Sequence, residues 1–309
     1  MDALADILKT IRLNTSTYFC SDFASSWGME IEATDSGLFH VVVDGECWLK
    51  AINQTSAIHL KEGDVVAFPT GGSHWISDTP ESPKRPGTEV IDEILSGANP
   101  FQVGENKEEG KRITLMCGAF KYDTNIKHAF LKDLPCFIHL EAEHTPELAW
   151  LRSLVSVLSV ESRQQSPGFS VIIDRLTEVL FIQLLREHIR RQASKHGYLS
   201  ALADPYIGRA LNLIHDDQNS QCSVESLGKN IGLSRSAFTD RFSKLVGQSP
   251  KAYLMDWRMQ KAKTQLTQSN LGMFQIAESA GYSSEAAFSK AFKQVFNTPP
   301  GKFRRTTQD

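Results

Sequence analysis

The last hundred residues state one phrase twice, and no other feature restricts the fold as much. From Leu227 the chain reads LGKNIGLSRSAFTDRFSKLVGQSPKAY, and from Ile276 it reads IAESAGYSSEAAFSKAFKQVFNTPPGKF. Leu227, Gly228, Gly232, Leu233 and Ser234 align with Ile276, Ala277, Gly281, Tyr282 and Ser283. One residue further out of phase, Ala237, Phe238, Phe242, Pro250 and Tyr253 align with Ala287, Phe288, Phe292, Pro300 and Phe303. A duplicated module is the simplest account. Each copy reads as a short helix closed by a glycine turn, a serine N-cap, and a second helix whose phenylalanines at i and i+4 anchor it to the first. These units fall at about 223–246 and 273–296. The outward face of the second helix carries Arg235, Ser236, Thr239, Asp240 and Lys244 in one copy, and Glu285, Ala286, Ser289, Lys290 and Lys293 in the other. Small and charged side chains of this kind suit entry into a major groove.

With the linking stretch AYLMDWRMQKAKTQL and the run GYSSEAAFSKAFKQVFNTPPGKFR, Asp204 to Arg305 resembles the AraC/XylS-type bacterial transcription regulators. Gly228 stands where that family usually has alanine, and Asn297 where it often has glycine; Asn tolerates the left-handed backbone at a helix C-terminus. The resemblance implies that both recognition helices dock in successive major grooves about 34 Å apart, which demands a rigid connector. Pro250 to Gln268, about 28 Å at 1.5 Å per residue, is long enough as a helix. It further implies that Lys244, Lys293, Arg304 and Arg305 meet phosphates. Arg235, Ser236, Thr239, Asp240, Glu285, Ala286, Ser289 and Lys290 are the base-edge candidates.

Charge agrees with that division. Residues 205–309 hold 14 Lys and Arg against 8 Asp and Glu, whereas the whole chain has a net charge of -3, so the first two thirds are acidic. Such a split fits a nucleic-acid-binding module joined to something else. No run approaches the 18 or more apolar residues of a membrane span, and the start, MDALADILKT, is acidic where a signal peptide is basic; a cytoplasmic address and no membrane partner are expected. Five cysteines, Cys20, Cys47, Cys117, Cys136 and Cys222, form no CxxC pair, which removes zinc-finger and disulfide-framework readings. Cys136 and Cys222 are read as structural. No nucleophile triad, GxSxG or phosphate-cradling glycine loop is present.

From Leu38 to about His139, short apolar runs such as LFHVVV, ECWLKAI, AIHL and RITLMCGAFKY alternate with turn signals, as in an antiparallel sandwich or barrel. Ser77 to Gly110, with four prolines, reads as a long loop containing a short helix around EVIDEIL. Gly63 to His74 fits the pattern G-x5-P-x-G-x2-H, which resembles the second cupin motif; the first is eroded, with His40 in its first histidine position, Val42 in the second, Glu46 as its acid and Asn53 for its closing glycine. A small jelly-roll barrel holds one ligand or ion. If Asp44-Gly45 is a two-residue hairpin loop, Val43 pairs with Glu46, Val42 with Cys47 and His40 with Leu49. Glu46 then leaves the face of His40 and Cys47 joins it, though a bulge would reverse the parity. Three readings stay open: a divalent metal on His40, His74 and Cys47, histidines that merely line a pocket, and redox sensing. For the last, Cys20 and Cys117 resemble cysteines in family members that answer oxidants. No cationic cluster adjoins Cys20 in sequence, so thiolate formation must come from the fold.

After Thr145 the period changes to 3.6. Glu147 to Arg163 and Gly168 to Gln192, separated by Ser166-Pro167, read as a helical hairpin with enough apolar surface for a dimer interface, for packing on the barrel, or for both. The expected architecture is therefore α+β: a cupin-like β-barrel sensor over 1–144, a helical hairpin over 145–203, and an all-α double helix-turn-helix domain over 204–309. The function that follows is a sequence-specific DNA-binding transcription regulator, an activator by expectation. Its partners are double-stranded promoter DNA, RNA polymerase and a second copy of itself. The alternative is a cupin-type metal-dependent enzyme with an appended helical domain, which the missing second histidine and the two complete helix-turn-helix units oppose.

Overall fold

The computed structural model describes residues 2–11, 13–24, 26–52, 54–102, 112–123, 128–141, 149–164, 166–191, 197–216 and 222–306. Asn53 and the expected hairpin start at Glu147 lie outside them. In chain order the first elements are α1 (Ala3–Thr10), β1 (Asn14–Ala24), β2 (Gly28–Ile31), β3 (Gly37–Asp44), β4 (Glu46–Ala51), β5 (Ile58–Lys61), β6 (Val65–Phe68) and β7 (His74–Ser77). There follow β8 (Arg85–Pro86), α2 (Gly87–Leu95), β9 (Arg112–Lys121), α3 (Ala129–Lys132), β10 (Ile138–Leu140), α4 (Ala149–Gln164) and α5 (Phe169–Arg191). The last are α6 (Tyr198–Ala203), α7 (Ile207–His215), α8 (Val224–Asn230), α9 (Arg235–Val246), α10 (Pro250–Gln268), α11 (Met273–Ser279), α12 (Glu285–Phe296) and α13 (Pro300–Thr306). No helix among the described residues is long and apolar enough to cross a membrane.

The chain forms two compact units. One, the barrel unit, comprises Leu13–Tyr122 and Leu134–His188; the other, the helical unit, gathers Met1–Arg12, Asp123–Asp133 and Ile189–Asp309. In the barrel unit two five-stranded sheets run in the orders β1-β9-β3-β6-β10 and β5-β4-β7-β2-β8. Alternation along each strand turns one face inward, and Phe19, Phe23, Leu38, Val42, Cys47, Leu49, Ile76, Leu115 and Cys117 from both sheets share one core. The predicted loop helix around EVIDEIL forms as α2.

The expected hairpin at Asp44-Gly45 does not pair. β3 ladders with β6 and β9, while β4 ladders with β5 and β7, so the turn is a corner between sheets and none of the three cross-strand pairs exists. The reason is burial: both strands have an apolar inner face, and placing them in opposite sheets lets both faces meet the same core. Cys47 still shares the inward parity of Leu49 and Ala51, and Glu46 points away, where it meets His59 at 3.1 Å. Strands β1 and β2 and helix α1 carry no strong periodic signal and were not legible. Nor was α6, which lies in a stretch that reads as a polar break yet buries Tyr198 and Leu199.

In the helical unit, Phe238, Phe242, Tyr253, Phe288 and Phe292 are fully or almost fully buried. A polar network also lies inside it. His215 Nδ1–H donates to Asp6 at 3.1 Å, and its Nε2 accepts from the Tyr253 hydroxyl at 2.7 Å. That hydroxyl in turn accepts from Tyr198 at 2.5 Å and from His128 Nε2–H at 3.2 Å. His128 Nδ1 accepts from the Phe130 amide at 3.1 Å, capping α3. One assignment of protons satisfies every member, with all four rings neutral. Helix α1 and the 123–133 segment thereby belong to the same core as the duplicated module.

Candidate functional site

Each copy of the repeat builds the same local structure. Ser223 and Ser226 close a capping box on α8, Gly232 turns the chain at φ 76°, and Ser234 accepts from the Ala237 amide at 3.3 Å to open α9. In the second copy Gly281 makes the turn and the cap falls on Ser284, which accepts from Ala287 at 3.3 Å. Ser283, the residue matched to Ser234 by sequence, is thus the extra turn residue that changes the alignment by one. The ring pairs Phe238–Phe242 and Phe288–Phe292 sit at 5.5 and 5.6 Å and fix each second helix on its first. Asn297 takes the left-handed conformation at φ 56° that ends α12.

These anchors decide what remains outside. On α9, Arg235, Ser236, Asp240 and Lys244 are exposed and Thr239 is half-buried; on α12, Glu285, Ala286, Lys290 and Lys293 are exposed and Ser289 is half-buried. Helix α10 joins the two helix-turn-helix pairs over the predicted span and buries Trp257, Met259, Ala262 and Leu266. Arg305 is exposed, but Arg304 is half-buried and donates to the Leu271 carbonyl at 2.7 Å, a contact that ties α13 to the loop before α11. Arg241, which no motif singles out, forks onto Asp204 at 2.5 to 3.2 Å and braces α9 against the start of α7.

In the barrel, His40 on β3 and His74 on β7 meet across the core. His74 Nδ1–H donates to the Gly72 carbonyl at 2.8 Å, which leaves its Nε2 to accept from His40 Nε2–H at 2.7 Å. His40 Nδ1 is then the acceptor for the Cys117 thiol at 2.8 Å. Phe68 stacks on His74 at 3.8 Å and holds its plane. The motif glycine Gly71 is required here: at φ 69°, a Cβ would lie 2.0 Å from the Thr34 carbonyl oxygen, so only glycine lets the loop deliver His74. Burial, then the charge of His74, lowers the His40 pKa well below its usual range; burial pushes His74 down to about 4. Burial also raises the Cys117 thiol, with Cys20 and Cys47 adding to it.

The third place expected of Cys47 is therefore taken by Cys117. Burial, Asp64 and Glu46 hold Cys47 as a thiol. A metal would need donors converging on one point, but Cys117 and His74 approach opposite nitrogens of the His40 ring. Among the described residues no group of three His, Cys, Asp or Glu is arranged to hold a metal ion. The residues fit a hydrogen-bonded relay and not a cation cage. Cys20 stands opposite Met116 in the β1–β9 ladder, and Phe19 opposite Cys117, so the two thiols occupy opposite faces of the sheet. Cys136, read as structural, is exposed, and Cys222 is half-buried.

Comparison with known proteins covers both units. A family model described as Cupin matches residues 2–190, and one described as Helix-turn-helix domain matches 227–306. The HTH-type transcriptional regulator AlkR of Acinetobacter baylyi is 30% identical over 306 residues, 99% of either chain. A putative AraC-like transcription regulator of Streptomyces lividans is 29% identical over 99% of this chain and 98% of its own. This chain belongs to the AraC family of transcriptional regulators. A third relative, the RCS-specific HTH-type transcriptional activator RclR of Escherichia coli, is 31% identical over 63% of this chain and 69% of its own. As an AraC-type regulator the protein binds double-stranded DNA through its helix-turn-helix domain and is not a cupin enzyme.

Proposed function

We propose that this AraC-type protein is a promoter-binding activator whose barrel receives an oxidative signal at Cys117. The single observation that carries the sensing step is the chain Cys117–His40–His74–Gly72, in which each hydrogen bond is 2.7 to 2.8 Å. At rest burial keeps the members neutral. For reaction, the Cys117 proton passes to His40 Nδ1 while the His40 Nε2 proton passes to His74, leaving a thiolate and an imidazolium one ring away. The sulfur pair then forms an S–O bond to the hydroxyl oxygen of a hydroperoxide or hypohalous acid. The O–O or O–halogen bond breaks, and alkoxide or halide leaves with its electrons, giving the sulfenic acid. Support comes also from the relative named as an RCS-specific activator. Cys20, on the other face of the strand pair, serves as the second redox residue.

For DNA, Arg235, Ser236, Thr239, Asp240, Glu285, Ala286, Ser289 and Lys290 read base edges, and Lys244, Lys293 and Arg305 meet phosphates. Arg304 supports this from behind through Leu271. The dimer forms through α4 and α5, where Val157, Val160, Val171 and Val179 are exposed, and RNA polymerase is the further partner in the cytoplasm.

A second reading has its own observation. His74 also lines a pocket of about 490 Å³ with Glu30, Glu32, Lys50 and Trp75, large enough for a small organic effector. An oxidant pulse followed by thiol mass spectrometry and promoter output separates the two. Oxidation at Cys117, with the response lost in Cys117→Ser and slowed in His40→Asn, is expected. An unmodified Cys117 with the response intact in Cys117→Ser refutes the redox reading and leaves the pocket.

A further inference from the structure

The two recognition helices do not exhaust the cationic surface of the helical unit. A cleft of about 580 Å³ opens between the two helix-turn-helix units. One wall is Arg235, the first residue of α9, and the other is Gly281–Tyr282, the turn that leads into α12. The floor is a single face of the connector α10, with Lys251, Leu254, Met255 and Arg258 at i, i+3, i+4 and i+7. Three cations, Arg235, Lys251 and Arg258, face one carboxylate, Glu225.

Arg258 is built into this floor. Its Nη2 donates to the Cys222 carbonyl at 2.9 Å, and the guanidinium lies so close to Gly281 that a Cβ there would sit 3.0 Å from Nη1. Gly281 also holds φ 82°, so glycine serves both the turn and the approach of the arginine. Lys251 is exposed and Arg258 half-buried. The cleft lies between the entry points of the two recognition helices. When each helix occupies its own major groove, the duplex segment left facing the cleft is the backbone bordering the minor groove between them. An apolar floor from Leu254 and Met255 with a cationic rim matches the alternating sugar and phosphate of that backbone.

We infer that this cleft seats the sugar-phosphate backbone between the two major-groove contacts, with Lys251 and Arg258 as phosphate ligands additional to those on α9 and α12. The inference rests on the recognition-helix reading. The test uses full-length protein and a duplex selected by it from random sequence, with an unselected duplex as competitor. Lys251→Ala should weaken both duplexes by the same factor, about eightfold at 0.1 M salt, and lower the salt slope by about one. Lys251→Arg should restore the slope. Phosphate-ethylation interference between the two contacted major grooves should fade in Lys251→Ala only.

An unchanged slope in Lys251→Ala, beside a reduced one in Lys293→Ala, overturns the cleft and leaves the recognition helices standing. Equal binding of selected and unselected duplexes by the unsubstituted protein overturns both.

Discussion

Acid should loosen the helical unit through His128, and the structure supplies the amount. His128 is pushed down to about 3, mainly by burial and further by the neighbouring His215. Its Nδ1 is occupied by the Phe130 amide, so a proton there would also break the cap of α3. The unfolded chain has an ordinary histidine near pH 6.5. Between those values the unfolded state binds a proton that the folded state refuses, so stability present above pH 6.5 is lost as pH falls toward the folded value. At pH 5 the unfolded histidine lies about 1.5 units below its midpoint, which at about 1.4 kcal/mol per unit costs about 2 kcal/mol. That is a sizeable part of an ordinary domain's stability of about 5–15 kcal/mol. His215, lowered in the same direction, adds to the trend, so the comparison must be with a variant. His128→Asn keeps an acceptor for the Phe130 amide but cannot titrate. Hydrogen exchange of α7 and α10 amides at pH 7.5 and 5.0, corrected for intrinsic rates, reads the stability of this unit. The loss on acidification should be about 2 kcal/mol smaller in the variant. Equal losses in both proteins, or a unit that becomes more stable in acid, would refute the reasoning.

Tyr253→Phe removes the hydroxyl that His215, His128 and Tyr198 share, and leaving those buried groups unpaired should cost about 2–4 kcal/mol in urea unfolding; a cost under about 0.5 would mean that the network repairs itself. Asn297→Gly should leave the thermal midpoint nearly unchanged, whereas Asn297→Val should lose about 1–2 kcal/mol because a β-branched residue resists φ 56°. Arg235→Ala and Lys290→Ala should each reduce discrimination between selected and random duplexes by about 1–3 kcal/mol; unchanged specificity in both removes them from base readout.

The duplicated module was legible residue by residue because its determinants are local. Glycine at the turn, serine at the cap and phenylalanine at i and i+4 specify a helix-turn-helix pair wherever they occur, and α10 began and ended where its proline and its polar break indicated. Only the cap of the second copy moved, to Ser284, since one extra turn residue is invisible until the backbone is drawn. The barrel was legible as a set of strands, and Gly63 to His74 as the loop that delivers a histidine. Which strands would pair was not, because the apolar pattern along β3 and β4 reads the same whether they pair in one sheet or face one core from two.

The sequence by itself therefore determined the duplicated DNA-binding unit, the strand-rich character of the barrel and the glycine loop that ends at His74. Tertiary structure alone decided that Cys117 and not Cys47 meets His40, because strand order across a sheet is a property of the whole core. It alone decided that Asp6 and His128, about two hundred and one hundred residues from the repeat, close its buried network. Hydrogen bonds between residues so far apart leave no period and no motif in a sequence. Their partners are chosen by which polar groups the collapsed chain buries together, and by the cost of leaving any of them unpaired.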